Sequence, residues 1–422
     1  MAGDKGRGHI VAGAFGNILE WYDFAVFGFL APIISELFFP ADDSFAGLIK
    51  VYGVFAAGYL MRPLGGMIFG HMGDRLGRKR ALEVSIAMMA LPTFLVGVLP
   101  THEQIGTAAA ALLILLRLLQ GVSIGGELIG SISYIVEMAP PQKRGLQGSW
   151  TLFTATGGIL VGSLTVMLLR GFLDADAMAA WGWRLPFLFG ITIAAVGLWL
   201  RVRLPESTAF EQAAPETQDA RSPVALALSE AGGRIALLGV LLALFAAGFY
   251  ICFVWMPTYY TDILKPPVGH AFAINSLSMI ALLVFIPLSG SLSDRYGRRL
   301  VLGCGMLAMA LLAYPLFVLV DTRVAMYALG AQLVFALIIA AIQGPMPALM
   351  AEMFPTRIRS SAIGIAYNAS LGLLGGTSPL VSTWLISQTG DLAAPAFYLI
   401  ALALVSAGAL LFLRVEERQP LT

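Results

Sequence analysis

Gly70-His-Met-Gly-Asp-Arg-Leu-Gly-Arg-Lys-Arg80 is the densest concentration of charge in the chain, and it returns far downstream as Gly290-Ser-Leu-Ser-Asp-Arg-Tyr-Gly-Arg-Arg299. Gly70/Gly290, Asp74/Asp294, Arg75/Arg295, Gly77/Gly297 and Arg78/Arg298 share one offset of 220 residues. A second pair of stretches, Glu137-Met-Ala-Pro140 with Arg144 and Glu352-Met-Phe-Pro355 with Arg359, repeats at an offset of 215. Two long matches at nearly equal spacing mark a duplicated unit.

The chain of 422 residues is 58% hydrophobic and 12% charged, where a soluble chain carries about 25% charge. Apolar runs recur along its length, each of roughly 18 residues or more and able to cross a bilayer core of about 30 Å. A soluble all-helical protein is excluded, because its helices need polar faces that most of these runs lack. The net charge of +1 points to no partner. Cys252 and Cys304 both fall in apolar segments and read as small buried hydrophobes, not a disulfide or metal pair. The N-terminal stretch has no small-residue cleavage site and does not read as a removable signal.

Apolar runs between polar breaks define twelve spans, at about 14–38, 46–70, 81–99, 105–136, 146–172 and 183–200, then about 235–262, 270–293, 300–319, 324–352, 361–388 and 394–414. The polar stretch 201–234 reads as a linker. The expected organisation is a first six-helix bundle over 1–203, a cytoplasmic linker over 204–232 and a second bundle over 233–422. The fold class is all-α integral membrane, with twelve transmembrane helices in two pseudo-symmetric halves. Nineteen of the 26 Lys and Arg residues fall on the side of residue 1, and five on the other: Lys50, Arg170, Arg184, Lys265 and Arg323. That asymmetry places both termini in the cytoplasm. Six spans per half keep the two copies in one orientation, the arrangement in which two bundles rock about a central site.

Arg62 and Arg117 remain inside spans, with Glu20, Asp23 and Glu127. Each costs about 2.5–3.5 kcal/mol at mid-membrane on insertion scales, so such groups face a water-filled cavity or a partner. Glu20 and Asp23 are three apart and share a helix face; Arg117, Gln120 and Glu127 share a broad arc of theirs. Burial in a low dielectric favours the neutral form of a carboxyl, which suits it to taking up and releasing protons near neutral pH. Glu127 is the leading candidate proton carrier, with Glu20 and Asp23 competing for the role. Arg117 and Arg62, which cannot lose their protons, are candidates for a solute carboxylate or for clamping the acids. The second half carries no mid-depth charge. It offers Tyr250, Trp255, Asn275, Gln343 and Asn368 as candidate solute contacts, and Tyr259 and Tyr260 for the outer interfacial belt. At the basic loops, glycines permit a tight turn and arginines anchor to an anionic leaflet. Asp74 and Asp294 sit at helix ends where they can latch two helices, as switching elements of a gate. Arg75, Arg78, Arg295 and Arg298 belong to the same motifs, and Glu137–Arg144 and Glu352–Arg359 supply further pairs.

These residues resemble the signature of the major facilitator superfamily, and Arg117-Leu-Leu-Gln-Gly121 looks like the fourth-helix motif of its proton-coupled members. Gly16-Asn-x-x-Glu-Trp-Tyr-Asp-Phe24, Met61-Arg-Pro-Leu-Gly-Gly66, Gln120-Gly-x-Ser-x-Gly-Gly-Glu127, Trp181-Gly-Trp-Arg-Leu-Pro-Phe187 and Met353-Phe-Pro-Thr-Arg-Ile-Arg359 are similar to its metabolite:H+ symporter family. The resemblance covers nearly the whole chain. It implies alternating-access symport of a small metabolite with protons in a bacterial inner membrane, by a monomer with no cofactor and the proton gradient as energy source. Members carry proline and betaine, α-ketoglutarate, citrate or shikimate. Those with osmotic gating end in a long coiled-coil tail, which a chain ending at Thr422 is not expected to have. Two arginines against three acids within the spans suit a zwitterion, since each buried anion needs pairing and aromatic faces hold an ammonium. The segment Ser378-Pro-Leu-Val-Ser-Thr-Trp-Leu-Ile-Ser-Gln-Thr-Gly-Asp391 looks more like the organic-acid members, which keeps di- and tricarboxylates as the alternative. A non-transporting solute sensor need not keep both gating motifs, and a multidrug exporter would not explain the polar first-span stripe.

Overall fold

The computed structural model describes residues 18, 20–41, 43–76, 78–123, 127–202 and 223–413, without the side chains of 70–71, 73–79, 81–82, 127, 193–194, 197–202 and 223. Among the described residues there is no strand. Nine helices among the described residues are long and apolar enough to cross a membrane, and Glu20–Phe29 with Ala31–Phe38, bent by 65°, makes a tenth if the pair is one span. This first span is α1, and Pro32 at the start of its second segment, lacking an N–H, accounts for the bend.

Eleven further helical segments follow the expected order, and two of them, Arg78–Val98 and Arg184–Val202, fall outside that count of apolar spans. The first half has α2 (Ser44–Leu60, continued by Arg62–Leu76), α3 (Arg78–Val98), α4 (Thr107–Ser123, continued by Glu127–Met138), α5 (Arg144–Phe172) and α6 (Arg184–Val202). The second half has α7 (Pro223–Phe249, running on through Ile263), α8 (Ala271–Tyr296), α9 (Arg298–Asp321), α10 (Ala325–Gln343, then Met346–Glu352), α11 (Thr356–Ser370, running on to Thr389) and α12 (Ala394–Phe412). Helix α7 starts well inside the stretch expected as linker, with a kink at Ala231 that sets its first turns apart. Those turns are held by the Glu230–Arg357 ion pair at 2.7 Å.

Sequence chemistry explains the joints. The Asp43 side chain caps α2 by accepting from the Phe45 N–H at 3.1 Å. Gly297 of the second basic motif has φ +98°, open to glycine alone, and turns α8 into α9 within one residue. Pro63 and Pro345 lie at the breaks within α2 and α10. Helix α7 carries wide π turns at Tyr250–Trp255 and Tyr259–Ile263, and α11 one at Leu371–Gly375. Irregular backbone at membrane depth is tolerated where it is enclosed by protein or lines a cavity.

Packing separates a protein-facing interior from a lipid-facing exterior. Over its most apolar window α7 is 83% buried, against 39–56% for the other long spans, so α7 runs through the middle of the bundle. Leu311, Phe172 and Leu411 stand exposed on the outside, as lipid contact allows. The halves meet where α5 lies along α8 and where α2 lies against α11. At the α5–α8 crossing Gly145 rests on Gly290, and a Cβ on either would collide with the carbonyl oxygen of the other. Tyr259 and Tyr260 are fully buried, not interfacial: Tyr259 stacks on Trp255 and donates to the Leu392 carbonyl at 2.9 Å. The two cysteines are unpaired; Cys252 is buried as expected, but Cys304 is on the exposed face.

Candidate transport site

A narrow chamber, a cavity of about 20 Å3 with room for about one water molecule as the halves stand, lies between them. Its walls come from Trp21 of α1, Leu152, Ala155, Thr156 and Ile159 of α5, Phe245, Ala246, Phe249 and Tyr250 of α7, Gln343 of α10, and Tyr367 and Leu371 of α11. Five of these are aromatic and none is charged. Gln343, Tyr250 and Leu371 each sit at a helix break or π turn, so the irregular backbone gathers here. Three polar atoms of the wall make no hydrogen bond: Trp21 Nε1, the Tyr367 hydroxyl and Gln343 Oε1. All three residues are at most 5% exposed, and leaving such groups unsatisfied costs about 1–3 kcal/mol each. A solute with a carboxylate and an apolar or cationic body would satisfy them.

The intramembrane charges sit beside this chamber as two ion pairs. Arg62 at the α2 break donates to Glu20 at 2.6 Å. Arg117 of α4 donates to Asp23 at 3.0 Å, and Thr93 and Gln120 add hydrogen bonds to the same carboxylate at 2.9 Å each. Gly58 and Gly121, in backbone contact, bring α2 and α4 together. The two arginines thereby meet two acids one helical turn apart on α1. Both Asp23 and Arg117 are fully buried, and the Arg117 guanidinium lies against the rings of Phe24 and Phe27. Arg117 and Gln120 therefore face Asp23, while Tyr250 and Gln343 face the chamber. The backbone of Glu127 opens the second part of α4; its side chain lies outside the described residues, as do those of Asp74, Arg75 and Arg78.

Trp255 and Asn275 lie off the chamber. The Trp255 indole donates to Thr383 at 3.0 Å. Asn275 joins Gln332, which donates to it at 2.6 Å, and Ser163, to which it donates at 3.2 Å. Because Ser163 belongs to α5 and Asn275 to α8, this network fastens the halves together, with help from the Ser163–Ser276 bond at 2.9 Å and from Tyr52 donating to Thr258 at 3.0 Å. Asn368 is buried within α11 without lining the chamber.

At the basic end the repeated motifs interlock. Asp294 accepts from the Gly145 and Leu146 backbone N–H groups at 2.8 Å each, in the first turn of α5, and from Arg298 at 2.7 Å. Arg298 also pairs with Glu352 at 3.3 Å, and Arg144 approaches Glu352 at 3.8 Å. Arg359 pairs with Glu137. The expected pairs within each motif, Glu137–Arg144 and Glu352–Arg359, are replaced by pairs exchanged between the halves, because the two copies face one another across the interface. Arg295 is exposed, with its guanidinium 5.2 Å from the Tyr296 ring.

Sequence reasoning overlooked Trp21, Phe245, Phe249 and Thr93. Phe245 and Phe249 are four apart, one helix face in an apolar run, and nothing distinguishes that from ordinary packing. Trp21 had a usable signal, its place beside Glu20.

Two halves of membrane-spanning helices, a central chamber between them and interlocking latches away from it define a secondary transporter. Residues 9–228 match the family described as "Sugar (and other) transporter" and residues 264–422 the "Major Facilitator Superfamily". The chain belongs to the Major Facilitator Superfamily and is a transporter of its metabolite:H+ symporter type, not an enzyme. It is 35% identical to the "Glycine betaine/proline/ectoine/pipecolic acid transporter OusA" of Dickeya dadantii (strain 3937), over 98% of this chain and 84% of that one. To the "Proline/betaine transporter" of Escherichia coli (strain K12) it is 33% identical, over 95% and 82%. To the "Citrate-proton symporter" of Salmonella typhi it is 35% identical, over 97% and 95%. Among solved structures, the partially occluded inward open xylose transporter XylE from E. coli superposes with a TM-score of 0.75 over 96% of both chains at 20% identity, a likeness of fold.

Proposed function

We propose that this chain imports a small zwitterion of the proline or betaine kind together with protons, by alternating access across a bacterial inner membrane. In this reading both termini and the basic end face the cytoplasm, and halves 1–203 and 233–422 rock about the chamber. No cofactor takes part, and the proton gradient supplies the energy. The observation that carries the reading is the chamber wall: five aromatic side chains without a charge, interrupted by three hydrogen-bonding atoms that lack partners. Aromatic faces attract an ammonium by about 0.5–2 kcal/mol each when water is excluded. The Trp21 N–H and Tyr367 O–H are donors for a carboxylate at the other end of the same solute. Glu20, Asp23 and Glu127 are the candidate proton carriers in this scheme.

A citrate-like solute is the competing reading, supported by one relative's name. Several buried negative charges would each need a fixed cation, and no chamber-lining residue is one.

Uptake of labelled glycine betaine, proline and citrate by proteoliposomes carrying the purified protein separates the two. Glycine betaine and proline are expected to enter saturably and to compete with each other, with citrate inert. Phe249→Ala is expected to raise the KM for glycine betaine about 2- to 30-fold, the loss of one cation–π face. Saturable citrate entry that neither zwitterion inhibits would sink the proposal.

A further inference from the structure

The first half holds two carboxylate–guanidinium pairs, and they are built differently. Asp23–Arg117 is sealed, its carboxylate saturated by Thr93, Gln120 and Arg117 and its partners fully buried. Glu20–Arg62 stands one layer of rings from the chamber. The Arg62 guanidinium lies 5.4 Å from the ring centre of Trp21, a chamber wall, and 5.0 Å from that of Tyr59. The Tyr59 hydroxyl meets the hydroxyl of Tyr250, another wall, at 2.5 Å. Arg62 also keeps a buried Nε–H that makes no hydrogen bond.

We infer that Glu20–Arg62 is the point at which solute and proton are exchanged. An entering carboxylate draws the Arg62 guanidinium away from Glu20, and Glu20 then binds one proton from the side of entry. On the opposite side the solute leaves, the O–H bond of Glu20 breaks, the proton departs and Arg62 returns to the bared carboxylate. No bond within the solute changes. Charge balance couples the two events. Solute without proton sets two carboxylates against one guanidinium, while proton without solute leaves the guanidinium buried alone, and a buried charge stripped of its partner costs several kcal/mol. Empty, the pair sums to zero; loaded, a neutral Glu20 and the solute carboxylate on Arg62 sum to zero at the pair, and the solute ammonium on the aromatic faces carries the one net positive charge of the loaded site. Among the described residues, the titratable and charged groups around the pair are Tyr59 of α2, Tyr250 of α7, Tyr367 of α11 and, across Tyr59, Arg117 of α4.

The inference rests on the zwitterion reading only for the solute's carboxylate. In proteoliposomes with the membrane potential clamped, a gradient of one pH unit sustains about tenfold accumulation per proton carried. Wild-type protein is expected to approach that ratio with glycine betaine, and Glu20→Gln to fall to onefold while slower counterflow persists. Accumulation by Glu20→Gln above onefold would overturn the assignment. Arg62→Lys keeps the charge but not the planar fork, and is expected to raise KM about tenfold with the accumulation ratio kept; an unchanged KM takes the solute off Arg62. If Glu20→Gln does not fold, the double change Glu20→Gln with Arg62→Gln removes both charges and is expected to abolish accumulation likewise. If wild-type protein carries no glycine betaine, the zwitterion reading has failed and acetate, a bare carboxylate, probes the ion pair. The Trp21 fluorescence, taken as the difference from Trp21→Phe, is expected to change with added acetate at a midpoint concentration that falls as the pH falls, and in Glu20→Gln at a midpoint that does not vary with pH. The same pH dependence in both proteins would refute the exchange.

Discussion

Replacing Asp294 by asparagine changes one oxygen into an amide nitrogen at the junction of α8 and α5. The carboxylate now receives two backbone N–H groups at 2.8 Å and the Arg298 guanidinium at 2.7 Å. Asparagine keeps one acceptor oxygen, so at least one charge-assisted bond is lost, about 1.5–3 kcal/mol. The negative charge at the start of α5 contributed about 0.3–1 kcal/mol more through the helix dipole. Together these weaken the closed basic end by about 2–4 kcal/mol, which at 1.4 kcal/mol per decade shifts the closed-to-open ratio roughly 30- to 700-fold. Ser149 supplies the probe: it is fully buried where α5 crosses α8, its hydroxyl donating to the Leu146 carbonyl at 2.7 Å and its Cβ packed against Gly290. With Cys252 and Cys304 replaced by serine and Ser149 by cysteine, alkylation in detergent reports opening. The rate is expected to rise in Asp294→Asn by that same factor, up to the limit set by the fraction already open. A rate no faster than in the parent protein would refute the view that this carboxylate holds the end shut.

Two further outcomes concern packing. Asp23→Asn leaves the buried Arg117 without a counter-charge, and a broken buried pair costs about 3–5 kcal/mol; thermal unfolding in detergent should fall sharply, with recovery when Arg117→Gln is added. An unchanged midpoint would show that the pair is not sealed as described. Gly376→Ala would push a Cβ into the Cβ and ring of Tyr59 on the opposing half, an overpacking of about 1–3 kcal/mol. The unfolding midpoint should drop, and a protein as stable as wild type would mean that α2 and α11 do not meet this closely.

Much of this architecture is written in periodicities that survive without coordinates. The 220-residue echo of the basic motif, the apolar runs and the lysine and arginine bias are properties of sequence spacing, and the helices follow them within a few residues except at the start of α7, which reaches back into the expected linker. Glu20, Asp23, Arg62 and Arg117 stood out because a charge inside an apolar run is conspicuous. Which arginine meets which acid was not legible, since it depends on where α2 crosses α4, and that crossing is set by Gly58 against Gly121. Duplication itself hid the latch. Both copies carry a glutamate and an arginine, and spacing does not say whether Glu137 takes Arg144 beside it or Arg359 from the other copy. The chamber was least visible. Trp21, Phe245 and Phe249 are apolar residues among apolar residues, and only the close approach of five helices makes them a wall.

The resting of Gly145 on Gly290 bears on how such a machine turns. Where main chain touches main chain there are no rotamers to repack, so this contact can part and re-form as the basic end opens and shuts without any side chain rearranging. The same bareness makes the spot a dial. A methyl there acts as a wedge and a larger side chain as a thicker one, so a graded series of substitutions would set the tilt between the bodies. Such a series would hold the molecule at chosen points of its cycle for imaging or for raising conformation-selective binders.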